Sequence, residues 1–427
     1  MKGLTGSEAL EYIHSLMRFG SRPGLSRISR LLKEMDDPQD KLRVIHVAGT
    51  NGKGSVCTFA AACLTASGIR TGLYTSPYVT SFSERIKIDG VCISDDDLGK
   101  YTEYVKSLSD RIYDDSDPIT EFEFITALAF KYYADKDCKA VVLEVGLGGR
   151  LDATNVIKRP AVSVIARIDL DHMAILGDTV EKIAAEKCGI IKDGCPVVML
   201  RDNLPSVRSV VAEFAKQHGS SLIIPELPND ISDRKLFGSS FYYRKMKISV
   251  PLVGLHQVGN AATAIEAVLA AFPDISKTAI EQGIASVTFP ARCEIISRNP
   301  LVILDGSHNP NGTSALSRML SDCSIENAAS VVGFMADKDV EDAFCAVAPH
   351  IKNVFTVTVK SNSRSMTAEK LAEVCTHCGC NAEPSADYDT AIEKAVSTGG
   401  PIIVFGSLYL AGDIRPLLLS RFSTNKA

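Results

Sequence analysis

A glycine-rich segment near the N-terminus has the composition of a phosphate-binding loop. The apolar run Val44–Ala48 is followed by Gly49-Thr50-Asn51-Gly52-Lys53-Gly54-Ser55 and then by helix-period residues. Glycines let backbone N–H groups approach phosphate oxygens, a helix N-terminus favours anions, and Lys53 supplies a mobile positive charge for the outer phosphates. Val47 stands where the strict pattern has its first glycine, and an additional glycine follows Lys53. The position between strand and helix favours a phosphate site over a simple turn ahead of a core helix.

Polar side chains also follow two other apolar runs. Glu144 lies at the end of the run 140–145, and Asp169-Leu170-Asp171-His172 follows the run 161–168. In open parallel sheets ligands gather beyond the carboxyl ends of the strands, so these side chains can reach Mg²⁺ held near phosphates. A strand-end carboxylate bonded to nearby backbone is an equally good interpretation of Glu144 from the residues alone. Lys187 is by default a solvated helix lysine.

A further group of candidates lies in the C-terminal part of the chain. The segment Leu304-Asp305-Gly306-Ser307-His308-Asn309-Pro310 places polar residues directly after an apolar run. Arg292 precedes this run, and Asn260 lies near the start of an earlier helical segment. Together these side chains could close over a nucleotide from the side opposite the glycine-rich loop. A turn without a function could have the same composition.

Short runs rich in Val and Ile alternate with helix-period segments, which predicts an α/β fold with a parallel sheet covered by helices. Strands of an N-terminal phosphate-loop domain are expected at 42–48, 140–145, 161–168 and 196–200, and helices at 54–67, 121–134 and 257–271. Polar and aromatic residues at 225–249 predict a hairpin or small insertion. A smaller, Rossmann-like C-terminal unit is expected to have strands at 301–305, 330–334, 353–359 and 401–405. A linker at 288–300 gives predicted domains of 1–296 and 297–427.

Composition excludes several classes of protein. The 427 residues are 45% hydrophobic and 23% charged, which does not fit collagen-like, coiled-coil or largely disordered chains. With 46 Lys plus Arg against 51 Asp plus Glu, the chain has no basic field for a nucleic acid. The N-terminal segment carries Glu8 and Glu11 where a signal peptide is apolar, and no run approaches the roughly 20 apolar residues that cross a bilayer. We therefore expect a soluble protein without nucleic-acid or membrane partners.

The cysteines indicate the compartment. Several of the twelve lie within apolar stretches, which is typical of reduced, buried thiols. Cys375, Cys378 and Cys380 have short metal-like spacing, but no second pair lies nearby to complete four ligands. We expect these three to be reduced thiols as well, and the protein to be cytoplasmic.

Five motifs occur together in an order and spacing that identify a family. They are the run from Gly49 to Ser55, Thr75-Ser76-Pro77, Ser83-Glu84-Arg85-Ile86, the segment from Glu144 to Asn155, and Glu186-Lys187-Cys188-Gly189. This combination resembles the folylpolyglutamate synthase and dihydrofolate synthase family of the Mur ligase superfamily, and the similarity continues to Phe405-Gly406-Ser407.

The resemblance implies an ATP-dependent amide ligase. A folate or pteroate carboxylate would be phosphorylated to an acyl phosphate and attacked by the amine of L-glutamate, and ADP and phosphate would leave. The implied catalytic residues are Lys53, Lys187 and His308. The implied ATP contacts are Thr50, Asn51, Gly52, Lys53, Gly54, Ser55, Asn260, Arg292 and Asp305. The implied Mg²⁺ ligands are Ser76, Glu144, His172 and Lys187, the last as a carbamate, which converts a cation into a metal-binding anion. The implied pterin contacts are Gly24, Leu25, Phe122, Phe124, Asp152 and Ala153.

Three positions depart from the pattern of the family. Ala291 replaces the usual Gly, Ser307 replaces the usual Ala, and Ser81-Phe82-Ser83 replaces a common Arg-Phe-Asn in a substrate loop. The preferred folate, dihydropteroate or a reduced folate, is left open by the third change. A Mur-type ligase for another carboxylate and a non-catalytic phosphate-loop switch are the alternatives, and the chain is expected to be a monomer.

Overall fold

The computed structural model describes residues 3–20, 23–114 and 116–422. Its largest sheet has eight strands in the order β4-β3-β2-β5-β1-β6-β7-β8. All neighbours are parallel except β2 with β3 and β3 with β4. The strands are β1 Val44–Ala48, β2 Thr71–Tyr74, β3 Ile86–Ile88, β4 Val91–Cys92, β5 Ala140–Glu144, β6 Val162–Ile165, β7 Val197–Met199 and β8 Leu222–Ile223. Every residue of β1, β5 and β6 is buried, because helices cover both faces of the sheet.

Ten helices belong to this part of the described chain. They are α1 Gly6–Ser15, α2 Ser26–Glu34, α3 Lys53–Ala66, α4 Asp95–Ile112, α5 Glu121–Asp135, α6 Met173–Leu176, α7 Val180–Cys188, α8 Pro205–Gln217, α9 His256–Ala271 and α10 Lys277–Ala285. One face of the sheet packs on α3, α9 and α10. The opposite face packs on α1, α2, α4 and α5, with α7 and α8 towards β7. The sheet edge at the carboxyl ends of β1, β5 and β6 is thereby held between two rigid layers.

A small antiparallel sheet occupies the segment predicted as an insertion. It has the order β11-β10-β9, with β9 Asn229–Asp233, β10 Ser239–Tyr243 and β11 Met246–Val250. Residues of β10 and β11 complete the core under α9 and α10. Glu266 of α9 fixes this sheet, because its carboxylate accepts hydrogen bonds from the Tyr243 hydroxyl at 2.5 Å and the Arg244 Nε at 2.6 Å.

The C-terminal part of the described chain contains a six-stranded sheet in the order β12-β13-β17-β14-β15-β16. Only β12 runs antiparallel to its neighbour. The strands are β12 Glu294–Arg298, β13 Leu301–Leu304, β14 Ala328–Val332, β15 Ile351–Thr356, β16 Asn381–Pro384 and β17 Ile402–Phe405. The predicted α/β class, with a parallel N-terminal sheet and a smaller C-terminal unit, is confirmed. The linker expected at 288–300 is wrong in its second half, because β12 lies there, and the expected boundary between 296 and 297 falls within this strand.

Five helices flank the C-terminal sheet. They are α11 Pro310–Asp322, α12 Val340–Cys345, α13 Ala368–His377, α14 Tyr388–Ser397 and α15 Leu408–Phe422. The first three cover one face, and α14 and α15 cover the other. Val79, which belongs to the loop after β2, also packs into the core under α14 and α15. None of the described helices is both long and apolar enough to span a bilayer.

One cysteine prediction is corrected by a disulfide. Cys378, at the end of α13, is bonded to Cys345, the last residue of α12. The two Cα atoms are 5.3 Å apart although 33 residues separate them in the chain. The spacing of Cys375, Cys378 and Cys380 gives no sign of this partner, because only the packing of α12 on α13 brings it near. Cys375 and Cys380 are buried free thiols.

Candidate active site

The glycine-rich loop joins β1 to α3 and leaves the first turn of that helix uncapped. Gly52 has φ +79°, and a Cβ there would lie 2.7 Å from Oδ1 of Asn260, so the loop requires glycine at this position. No side chain caps the N-terminus of α3. Lys53, its first residue, donates from Nζ to the carbonyl oxygen of Thr50 at 3.2 Å. The open N–H groups and the lysine form an anion site at a helix N-terminus.

The start of the loop is anchored to the end of β6. The backbone N–H groups of Thr50 and Asn51 donate to the carbonyl oxygen of Arg167 at 2.7 and 3.1 Å. The Thr50 hydroxyl donates to the Asp169 carbonyl oxygen at 3.0 Å, and Asn51 Nδ2 donates to the Asp169 carboxylate at 3.3 Å. The backbone N–H groups of Thr50 and Asn51 are therefore not available to a ligand. Only the N–H groups from Gly52 to Ser55 remain in this loop to donate to phosphate oxygens. The anchoring role of Asp169 was not predicted, although its position after β6 was noted.

Glu144 ends β5 directly beside this loop. Its Oε2 accepts a hydrogen bond from the Ser76 backbone N–H at 3.2 Å and would lie 3.6 Å from a Cβ at Gly54. Its side chain is buried, and burial raises its pKa, whereas the charges of Lys53, Arg292 and Arg85 act in the opposite direction. The charges of three cations thus act on one carboxylate. Within the described residues none of the three has a carboxylate within 4 Å of its nitrogens.

The four predicted metal ligands are not all in contact with one another. Ser76 and Glu144 meet through the backbone hydrogen bond, whereas His172 is half exposed, with Nε2 3.7 Å from the Asp171 carboxylate. Across residues 3–20, 23–114 and 116–422, no three His, Cys, Asp or Glu side chains form a metal-binding group. Of the four predicted ligands, only Glu144 and His172 belong to these residue types, so the predicted ligands could not form such a group by themselves. The Glu144 carboxylate and the Ser76 hydroxyl are nevertheless oxygen donors of the kind that Mg²⁺ prefers, next to an anion site.

Lys187 is buried, contrary to the default expectation for a helix lysine. Its Nζ donates to the carbonyl oxygen of Gly49 at 2.9 Å, and only 4% of the residue is exposed. Burial and the nearby charge of Lys53 lower the pKa of Lys187 to about 7, and Asp171 and Asp152 act in the opposite direction. The lysine lies where the glycine-rich loop begins, and its lowered pKa favours the neutral amine compared with an exposed lysine.

The C-terminal candidates face the same region. Asp305 follows β13, and its oxygens accept hydrogen bonds from Cys293 N at 2.7 Å and Ser307 N at 2.9 Å. A Cβ at Gly306 would lie 3.2 Å from Nη1 of Arg292, so this guanidinium lies against the turn after β13. His308 Nδ1 is 3.3 Å from the Gly306 carbonyl oxygen.

Charges link the two sides of the site. Burial lowers the pKa of His308, and Arg292 and Lys338 act in the same direction, whereas Asp171 of the N-terminal part opposes them. Arg292 acts on Glu144 as well. Titratable residues that end or follow β1, β5, β6 and β13 therefore act electrostatically on one another across the region between the two sheets, here named the cleft.

The predicted pterin contacts divide into two groups. Gly24 N donates to the Leu151 carbonyl oxygen at 3.4 Å, which places Gly24 and the half-buried Leu25 beside the loop containing Asp152 and Ala153. The ring of Phe122 is half buried and lies against Gly146, where a Cβ would be 2.6 Å from Cζ. These residues line the cleft beside Glu144.

Phe124 is a correction to the predicted pterin contacts. Its ring is fully buried and packs edge to face on Tyr12, with ring centroids 5.4 Å apart. Residues two apart on a helix point in directions about 200° apart, so Phe122 and Phe124 of α5 cannot share one wall. Phe124 is a core residue of the helix layer.

Asp152 is buried, and its carboxylate accepts hydrogen bonds mainly from residues of its own loop. Its Oδ2 accepts from Leu147 N at 2.9 Å, and its Oδ1 accepts from Thr154 N at 3.0 Å and from the Thr154 hydroxyl at 2.5 Å. The carboxylate therefore shapes the segment that follows Glu144.

Arg85 is a residue of this cleft that the sequence analysis did not predict as a site residue, since it used Arg85 only as part of a motif. The signal available was a cation placed directly before β3.

Comparison with known proteins agrees with this geometry. Residues 47–268 match the Mur ligase middle domain and residues 291–408 match the Mur ligase glutamate ligase domain. A folylpolyglutamate synthase of Lacticaseibacillus casei is 36% identical over 97% of this chain and 98% of its own length. The chain belongs to the folylpolyglutamate synthase family of Mur ligases. A dihydrofolate synthase/folylpolyglutamate synthase of Bacillus subtilis is 34% identical over 96% of this chain and 98% of its own length.

Solved structures of the family have the same fold. A Mycobacterium tuberculosis folylpolyglutamate synthase complexed with ADP superposes with a TM-score of 0.86 at 32% identity, covering 97% of this chain and 99% of that one. An Escherichia coli FolC in complex with DHPP and ADP gives a TM-score of 0.84 at 28% identity, covering 97% of this chain and 98% of that one. The predicted enzyme class, a ligase of the folylpolyglutamate synthase type with a nucleotide site, is confirmed.

Proposed function

We propose that this ligase joins L-glutamate to the carboxylate of a pterin-bearing substrate, dihydropteroate or a reduced folate, at the expense of ATP. The observation that carries the proposal is that Lys53, Arg292 and Arg85, three cations without a close carboxylate among the described residues, act on the buried Glu144. Without a carboxylate partner in the described chain, these cations suit an anionic ligand such as a triphosphate. The half-buried ring of Phe122 offers an apolar surface for a pterin on the same side of the cleft.

The reaction has two steps. A carboxylate oxygen of the substrate attacks the γ-phosphorus of ATP, the bond from that phosphorus to the β,γ-bridging oxygen breaks, and ADP leaves with the electron pair. The glutamate amine then attacks the carbonyl carbon of the acyl phosphate, phosphate leaves with the C–O electron pair, and the amine loses a proton. The N-terminus of α3 and Lys53 hold the phosphates and stabilise charge in the first step. His308 lies on the C-terminal side of the cleft, where the amine would enter.

We place Mg²⁺ at Glu144, with Ser76, His172 and a carbamate on Lys187 as further ligands. Bound there, the ion would neutralise the charge of the phosphates. A carbamate forms when a neutral amine attacks CO₂ and loses a proton. Lys187 is suited to this reaction because it is buried, has no carboxylate partner in the described chain, and has a pKa of about 7. Asn260, Arg292 and Asp305 complete the nucleotide site as contacts or as supports of its loops. We also propose that the chain acts as two domains, predicted as residues 1–296 and 297–427, with the whole of β12 belonging to the C-terminal one. We further propose that the enzyme is a cytoplasmic monomer.

The function is tested by supplying Mg·ATP and glutamate with either dihydropteroate or tetrahydrofolate and resolving the products by mass. One added glutamate on dihydropteroate is the expected result for dihydrofolate synthase activity. A series of additions to tetrahydrofolate is expected for polyglutamylation. ATP binding without addition to either substrate would contradict the proposal and favour another carboxylate.

A further inference from the structure

Arg85 is held in a fixed position at the edge of the cleft. It ends a short helical turn, Phe82–Arg85, that leads directly into β3. Glu84 stabilises this turn, because its carboxylate accepts the backbone N–H groups of Val79, Thr80 and Ser81 at 2.9, 3.1 and 3.1 Å. Glu84 therefore does not neutralise its neighbour, although the two residues are adjacent in sequence.

The guanidinium of Arg85 is flanked by two aromatic rings. Its central carbon lies 5.2 Å from the centroid of Tyr78 and 5.6 Å from that of Phe82. These rings restrict the side chain and remove water from its faces, which strengthens its interaction with an anion. The Nε atom is enclosed and has no hydrogen-bond partner in the described chain. A buried donor without an acceptor costs free energy unless a ligand supplies one.

Arg85 lies near residues of both parts of the proposed site. Its charge acts on Glu144 and on Tyr74. The ring centroid of Tyr74 is 6.1 Å from that of Phe122, the proposed pterin wall. A substrate with its pterin against Phe122 and its carboxylate directed towards the phosphates near Glu144 would pass Arg85 at the reacting end.

We infer that the Arg85 guanidinium is a catalytic residue that binds the substrate carboxylate during its phosphorylation. This inference rests on the proposed function. A guanidinium presents N–H groups in a planar arrangement that matches a carboxylate, and afterwards the acyl phosphate formed from it. Arg85 orients the attacking oxygen towards the γ-phosphorus and stabilises the negative charge that is shared between the two groups.

The test isolates the first chemical step. ATP labelled with ¹⁸O at the β,γ-bridging position is incubated with Mg²⁺ and the pterin substrate, without glutamate, and scrambling of the label is followed by ³¹P NMR. Reversible acyl phosphate formation scrambles the label. If the wild-type enzyme shows no substrate-dependent scrambling with either dihydropteroate or tetrahydrofolate, the proposed function fails. The Arg85 variants are compared only if the wild-type enzyme scrambles the label, so failure of the proposed function is distinguished from failure of the Arg85 assignment.

Arg85→Met is expected to lower the scrambling rate on the order of 100-fold while the affinity for ATP changes by less than about threefold. Arg85→Lys keeps the charge but loses the planar donors, so it should fall between the two, on the order of 10-fold below wild type. Methylguanidinium should partly restore Arg85→Ala. The matched control is Arg43→Met, which removes a guanidinium 4.5 Å from the ring of Phe272 outside the cleft and should leave scrambling unchanged.

Three outcomes would overturn the assignment. Scrambling near the wild-type rate in Arg85→Met shows that the guanidinium does not act in this step. An equal loss of ATP binding and scrambling indicates that Arg85 only supports the loop. If Arg85→Met does not fold, Arg85→Lys carries the test, and an unchanged rate in that variant contradicts binding through the planar donors.

Discussion

The carboxyl edges of the two sheets carry buried carboxylates that are used in opposite ways. Glu144, the last residue of β5, accepts one backbone hydrogen bond, and the charges of three cations act on it. Asp305, after β13, accepts hydrogen bonds on both oxygens from Cys293 and Ser307. The first carboxylate is free to meet a ligand, whereas the second shapes the turn against which Arg292 lies. A position at the end of a strand does not distinguish a ligand-binding carboxylate from a structural one. The number of hydrogen bonds that protein groups donate to the carboxylate does.

Glu144→Gln is expected to give the largest loss of activity. The variant keeps the shape of the side chain but removes the charge proposed to hold Mg²⁺. Lys53→Met removes the positive charge proposed to stabilise the transferring phosphoryl group. Each should lower kcat by about 1,000-fold or more. Since burial opposes ionisation of Glu144, Glu144→Gln should not lower the free energy of unfolding. Steady-state kinetics and urea unfolding test both statements, with the exposed Lys182→Met as control. If Glu144→Gln lowered the free energy of unfolding as much as Asp305→Asn, the two carboxylates would not differ in their structural role.

Lys187→Ala should be nearly inactive for a different reason, which is the loss of the carbamate. Acetate can occupy the vacated space and supply a carboxylate, so we expect added acetate to restore activity by about 10-fold or more. The same concentration of acetate should not restore Lys53→Ala. An unmodified ammonium at Lys187 in a high-resolution structure of the metal-bound, active enzyme would exclude the carbamate.

Asp305→Asn and Asp152→Ala should combine a moderate kinetic effect with a loss of stability. Each carboxylate accepts several hydrogen bonds from its own loop, and removal should cost about 1–3 kcal/mol of unfolding free energy. Asp152→Ala should raise the KM for the pterin substrate more than the KM for ATP, because its loop lies at the pterin side. Equal changes in both KM values, with unchanged stability, would place Asp152 among the ligand-binding carboxylates instead.

His46 gives the smallest predicted effect on activity, because its role concerns stability alone. It is fully buried, its Nε2 lies 2.9 Å from the Thr154 hydroxyl, and burial lowers its pKa to about 3. Between that pH and the unfolded pKa of about 6.5, the unfolded chain binds more protons, so stability falls as the pH is lowered through this window. The contribution is up to about 1.4 kcal/mol per pH unit. His46→Gln should reduce the slope of unfolding free energy against pH between 5 and 6.5, and the exposed His377→Gln should not.

Much of the ligand-binding edge could be predicted because apolar runs and glycine spacing are local signals. The glycine-rich loop, β5 with Glu144, and the turn at Asp305 lie where the sequence analysis placed them. The missing parts depend on packing. Phe124 differs from Phe122 only in the direction it takes on α5, and the partner of Cys378 lies on another helix. Strand β12 is only partly buried and is antiparallel at a sheet edge. It therefore lacks the continuous apolar run from which a strand could be predicted.

The contact between Val79 and α15 has a consequence for how the molecule unfolds. A Cβ at Gly412 would lie 2.1 Å from the Val79 carbonyl oxygen, and the Val79 side chain is part of the C-terminal core. The same loop begins at Ser76, which holds Glu144. Pulling the C-terminal sheet away would take an apolar side chain out of its core and release the loop beside the nucleotide site. The two sheets are thus thermodynamically coupled, and heating should melt them in one cooperative transition that nucleotide shifts as a whole.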